Sequence, residues 1–515
     1  GMATVNNVQV KTNANINLES KATAIDAGIV SGAGTIAKVN ATPQFLTWVG
    51  DGSHLQIAEN LLVKSNTLID GTTDALGVSP LNGVSYGVAI SKATVQPIIR
   101  THLGEVNACV GTDVAIQSNN ISNATSEGQA VTIAVVNGNG LIANAFAKPD
   151  ARTWLGDRTT QLEVGRDVLV ASNVTQNAET DAHGLTVALV GGGVIRSLAD
   201  ASGYISTEVG RSVDLVVGNN LSVISTVDGD ADAFATAPGG GIFNFFGTRA
   251  NSHASFDSNS MISSVSNLDV GGDTLVEAIS NRKSNAEIDA FNLSVGAAIG
   301  ATKANAYSEG KTIASVTGKI NQTNDLMINA NDKNITTSRA KSTEIGLISG
   351  AGVKSKVHVN PIVKSELSSS VNSAGNIAIS SNSDSKVQAH AQTLGVSGAG
   401  AGRTESTVEA TPNVTSRLGA NASVTALGNL TISADQSLNT LTGGTASVTG
   451  EGGQIGIGLS GLALNLDASA APLVTAKIQS GASVIDVQDL TVTSSSANQL
   501  SALDDSYSIG GLLSG

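Results

Sequence analysis

Both tryptophans of the chain sit in near-copies of one pentapeptide, TWVGD at residues 47–51 and TWLGD at residues 153–157. THLGE at residues 101–105 lies between them as a weaker copy, which puts His102 close to the same phase. Flat rings lined up on one face are a platform for sugar rings, so Trp48, His102 and Trp154 are candidate binding residues. The plainer reading is a structural slot in front of a corner, because Gly50, Gly104, Gly156 and Gly210 follow it in turn. A second candidate is APGGGIFNFFGT at residues 237–248, where five of the eight phenylalanines fall between Phe234 and Phe256. If Phe243, Phe245 and Phe246 are exposed they form an apolar patch suited to a partner or to self-association; if buried, they plug a wider lumen. Asp228, Asp230 and Asp232 alternate in DGDAD, a spacing compatible with Ca²⁺. An EF-hand loop would then need Gly and Glu where Ala233 and Gly239 stand, so a solvated acidic face is the simpler reading.

Other reactive residues give less. The six histidines are dispersed without metal-ligand spacing, HExxH is absent, and Cys109 is the only cysteine, so no internal disulfide can form. Cys109 aligns with Gln56 and Glu163 one period away, which predicts an outward side chain. No unit gathers the carboxylates and cations that a polysaccharide lyase or glycosidase needs in one groove. The sequence therefore implies no catalytic residues, no cofactor and no enzyme.

What must position these residues is a repeat. A polar residue followed by apolar–x–apolar recurs as NVQVKT, NLLVKS, DVAIQS, DVLVAS, NLSVIS, DTLVEA, DLMINA, NIAISS, NLTISA and DLTVTS. The strands begin near residues 8, 61, 114, 168, 221, 274, 326, 377, 430 and 490, at intervals of 51 to 54 residues until a final 60. Pro43, Pro97, Pro149, Pro361, Pro412 and Pro472 keep the same phase. Each unit then runs through an alternating stretch, a glycine-rich corner such as VSGAG or VNGNG, and a second alternating stretch to the proline. No stripe at helical spacing occurs. Identical strands at a fixed period predict an all-β chain, a β-solenoid read as a right-handed parallel β-helix of about ten 53-residue repeats over residues 3–503. Residues 504–515 are set apart as the end. A ten-bladed propeller is the competing use of such a period, and blades usually carry an aromatic signature that this chain lacks. One wide coil per repeat and two coils of about 26 residues both satisfy the period. Glycine corners that turn protruding hairpins are a further option.

Composition narrows the class. Charged residues are 14% and aromatics 3% of the 515 residues, against roughly 25% charged in ordinary soluble domains. A net charge of −14 with scattered Lys and Arg argues against nucleic acid as a partner. No apolar run is long enough for a membrane-spanning helix, and no signal peptide precedes the repeats. Gly1-Met2 and the abrupt ends read as a piece of a longer protein.

GNLTISA at residues 428–434, GVSGAGAG at residues 395–402 and VEATPNVTSRLGANASVTALG at residues 408–428 resemble the filamentous-haemagglutinin-like and leukotoxin-type large repetitive bacterial adhesins. The resemblance covers nearly the whole chain and rests on repeat style. It implies a β-helical shaft, secretion to the outer-membrane-associated cell surface, and attachment to an unidentified receptor or glycan on a host or neighbouring cell. A polysaccharide-binding or polysaccharide-degrading β-helix is the alternative.

Overall fold

The short apolar strand that opens each repeat lies directly on its copy in the next. Val10, Val63, Ile116, Val170, Val223, Val276, Ile328, Ile379, Ile432 and Val492 form one ladder through ten parallel rungs. The computed structural model describes residues 5–156, 158, 160–264, 267–439, 446–456, 459–510 and 513–514. It is an all-β solenoid whose strands join in one parallel sheet, and every repeat is one wide coil. At about 4.8 Å per coil, ten coils make a stack about 48 Å long. Residues 504–510 and 513–514 belong to the last coil, with Ile509 beside Ile455 and Leu513 beside Leu459.

The third coil serves as the example, with strands Val114–Ala147, Asp150–Leu155 and Thr160–Val164. Its first residues and its two short strands enclose one apolar core, where Val114, Ile116, Leu155, Leu162 and Val164 meet their copies. We call this the body. Each buried Val, Leu or Ile there is worth roughly 1.5–3 kcal/mol of transfer free energy, so small side chains suffice when every rung repeats them. The remaining residues form an arm that leaves the body, turns at the glycine corner and returns. No backbone ladder joins its two limbs; each pairs with the same limb of the coils on either side. They meet instead through inward side chains. A Cβ on Gly128 would lie 2.7 Å from Leu141 Cδ1, and Thr180 Oγ1 and Ser197 Oγ are 2.5 Å apart. Ser91 donates to Thr73 Oγ1 and Ser355 to Ser338 Oγ, both at 2.8 Å. The glycine corners are thus the outer tips of a two-layered arm rather than hairpins with a backbone ladder between their strands.

The structure explains the polar residue that opens each repeat. At seven of the nine junctions between coils its side-chain oxygen accepts the backbone N–H of its own copy one coil on. Asn7 does so for Asn60 at 3.2 Å, Asn220 for Asp273 at 2.9 Å, Asp325 for Asn376 at 2.7 Å and Asn376 for Asn429 at 3.0 Å. Only a short acceptor such as Asn or Asp reaches that donor at a corner. Beside this ladder the backbones close up. A Cβ at Gly111, Gly165 or Gly218 would come within 2.0 to 2.2 Å of a carbonyl oxygen of the preceding coil.

The proline row marks where the arm rejoins the body, and the backbone carbonyls of Pro43, Pro97, Pro149 and Pro412 accept from the next coil, as Pro97 O does from Asp150 N at 2.9 Å. In coils 4 to 6 the row reads Gly203, Phe256 and Gly310 instead. Phe256 turns inward, 1% exposed, into space that Gly229 leaves open, since a Cβ there would lie 2.1 Å from the ring. On that ring rests the guanidinium of Arg282, 4.7 Å from its centroid and fully buried. Arg282 pairs with Asp332 and donates to Phe256 O at 2.9 Å.

Candidate functional site: a stacked aromatic row and an arginine groove

The repeated pentapeptide is one strand and its exit turn. Thr47, Thr101 and Thr153 point inward and are buried, and Leu103 and Leu155 enter the body core. The alternation therefore sends Trp48, His102 and Trp154 outward. Gly156 takes φ 68°, the left-handed conformation that lets the chain turn at once after the strand. Asp51 Oδ1 accepts the N–H of Glu105 at 2.9 Å, so the aspartate caps the next coil's turn. Asp157 lies outside the described residues.

The three rings are register partners and stack in sequence. Trp48 and His102 have centroids 6.3 Å apart with planes 9° apart; His102 and Trp154 are at 4.0 Å and 7°. Trp48 is 49% exposed, so the row faces solvent. Burial between the indoles holds the His102 pKa below the ordinary 6.5, against an opposing pull from the Asp51 carboxylate. The stack therefore holds a neutral imidazole. In the unfolded chain His102 binds its proton near pH 6.5, so the stack loses stability as pH falls below 6.5, until its own lower pKa is passed. Fluorescence of the two tryptophans should show a step with its midpoint below pH 6.5, and His102→Gln should abolish it. A midpoint at or above 6.5 would contradict the buried, neutral ring.

The row ends at Trp154, whose register partner in the fourth coil is Glu208. There a cavity of about 560 Å³ opens, lined by Trp154, Tyr204, Ser206, Glu208 and four arginines, Arg100, Arg152, Arg158 and Arg211. Arg100 and Arg152 are register partners held by Asp150, at 2.5 Å and 3.2 Å. Arg152 also lies over the Tyr204 ring, 5.0 Å from its centroid. Glu208 accepts a hydrogen bond from Ser263 Oγ. The groove thus offers an aromatic face beside several guanidinium groups, the chemistry that holds a ring bearing a carboxylate or sulfate. Sequence reading missed these arginines because they come from different coils. The signal was present, since Arg100 and Arg152 stand two residues before His102 and Trp154.

The other candidate residues separate. Phe243 and Phe245 are 45% and 46% exposed at the arm tip of the fifth coil. Phe246 points inward at 7%, filling space over Gly193 and Gly239. One phenylalanine thus plugs the arm while two face solvent. Asp230 and Asp232 both bind Lys283 Nζ, at 2.7 and 3.2 Å, and Asp228 accepts from Asn281 at 2.6 Å. A lysine ammonium therefore occupies the place of the Ca²⁺ considered from sequence. Burial pushes Asp230 up to about 6, with Asp232 adding to that rise and Lys283 opposing it. Among the described residues no three His, Cys, Asp or Glu converge as a metal-binding set. Cys109 lies outward between Gln56 and Glu163. No helix among the described residues is long and apolar enough to cross a membrane. Comparison with protein-family models, curated proteins and solved structures finds no match for this chain.

Proposed function

We propose that this chain is a non-enzymatic shaft segment of a large secreted or cell-surface bacterial adhesin, and that the groove beside Trp154 holds an acidic glycan of the surface it attaches to. One observation carries the binding role: four of the chain's eleven arginines surround one open aromatic face, in a protein of net charge −14. Guanidinium groups placed there favour a carboxylated or sulfated sugar over a neutral one. The shaft role rests on the solenoid, which gains about 4.8 Å per coil at no cost in new interactions. Placement on the outer face of a bacterium follows from the resemblance of the repeats. A polysaccharide-degrading groove is the second reading. It would need paired carboxylates about 5–9.5 Å apart, and Glu208 is the one carboxylate among the described lining residues.

The test is an array of acidic and neutral glycans, followed by titration of tryptophan fluorescence. Binding of acidic members is expected, weakened roughly tenfold or more by Trp154→Ala and by Arg152→Gln. Binding that ignores both substitutions, or no binding at all, would leave only the shaft role. New reducing ends or unsaturated sugars would move the protein to the enzyme class.

A further inference from the structure

Stacking brings together a second surface that no motif announces. On the returning limb of the arm, Arg196, Arg249, Lys303 and Lys354 are successive register partners on coils 4 to 7. Among the described residues only Lys354 of the four is ion-paired, to Glu405 of the eighth coil. Like charges one coil apart repel by about 1 kcal/mol per adjacent pair even in bulk water. Burial, with Arg249 and Lys354 on either side, lowers the Lys303 pKa. Such a row calls for an anionic counterpart.

The same four coils carry an apolar crest. Their tips expose Leu189, Phe243, Val295 and Leu347 at 45–74%. At the three outermost outward positions of both limbs, Thr343 is the only polar side chain. Polar side chains begin at a matching depth on both limbs, at Arg196, Arg249, Lys303 and Lys354 on one and at His183, Thr236, Asp289 and Lys341 on the other. That boundary lies six to seven residues behind the tip, about 20 Å of strand. Half a bilayer, headgroups included, is about 20–22 Å. Along both limbs the backbone of these coils is paired with the coils on either side, and the ladder is interrupted at the tips, between Gly241 and Phe243 and between Leu293 and Ala297, so most of the backbone behind the crest carries its amides already paired.

From this coincidence we infer that the arm tips of coils 4 to 7 form a wedge that enters one leaflet of an anionic phospholipid bilayer, with the cation row at headgroup level. The occupant is a lipid surface rather than a second copy because the apolar depth matches a leaflet and the charge behind it complements anionic headgroups. The surface is separate from the groove beside Trp154, so each can fail without the other.

The experiment is flotation of the full chain with phosphatidylcholine vesicles, with and without phosphatidylglycerol. Flotation with the anionic vesicles is expected, falling as salt shortens the screening length. Arg196→Gln, Arg249→Gln and Lys303→Gln together should weaken it roughly tenfold or more. Phe243→Ser with Phe245→Ser should do the same, and circular dichroism checks that each variant keeps its strands. Either set alone decides the matter if the other fails to fold. Absence of flotation, or flotation indifferent to the variants and to salt, would overturn the inference. So would a dimer in sedimentation without vesicles that Phe243→Ser/Phe245→Ser dissociates while vesicles stay unbound, because the crest would then serve a second copy. Binding to soluble dextran sulfate that Arg196→Gln/Arg249→Gln/Lys303→Gln loses and the phenylalanine variant keeps, with no vesicle binding, would assign the row to a soluble polyanion and equally overturn it.

Discussion

Arg282→Met should destabilise the middle of the solenoid by about 3–5 kcal/mol, the usual penalty for leaving one member of a buried ion pair alone. Arg282 is fully buried between the Phe256 ring and Asp332, and the Asp332 side chain is buried as completely. With the guanidinium removed, the carboxylate keeps Asn334 and Thr312 as hydrogen-bond partners but no counter-charge. The double variant Arg282→Met/Asp332→Asn should recover most of the loss, since no charge is then left buried. Coils in a solenoid touch only their neighbours, so the damage should be local. Hydrogen exchange of coils 5 to 7 is the discriminating measurement. A rise of roughly a hundredfold or more there, at 1.4 kcal/mol per tenfold, with little change in coil 2, is the expected pattern. Unchanged exchange would mean that water reaches Asp332 and the site is not dry.

Removal of one entire coil should have the opposite outcome. Deleting residues 114–167 joins Asp113 to Val168, which recreates the Asp167–Val168 junction, and places Leu61 beneath Val168. The row of Val63 then meets Val170, and the body core closes over the gap with the same side-chain types. A folded particle about 4.8 Å shorter is expected by small-angle scattering, with unchanged strand signal in circular dichroism. Collapse on deletion would contradict independent stacking of the coils. The variant also lacks Trp154 and leaves Trp48 and His102 facing Glu208, so acidic-glycan binding should disappear while folding survives.

The sequence by itself determined whatever depends on the neighbour one period away. A side chain in a parallel stack sits on its copy, so the repeat predicts Val63 against Ile116 and Trp48, His102 and Trp154 in one row. The outward side of that row follows from its alternation with the buried Thr and Leu of the same strand. Arg100 and Arg152 beside it were legible in the same way, by reading down the period instead of along the chain. Tertiary structure alone decided how each coil closes on itself. Contacts across the arm, such as Gly128 with Leu141 or Ser91 with Thr73, depend on where the limb turns. That turn is fixed by which small and large side chains fit opposite each other, and no period encodes it. For the same reason Phe243 and Phe246, three residues apart, part company at the tip, and Arg282 finds Asp332 one coil on through a gap that Gly229 opens for Phe256. The cation row shows both halves of the division. Arg196, Arg249, Lys303 and Lys354 are scattered in the chain and stacked by the repeat. Only the fold of the arm puts them behind an apolar crest.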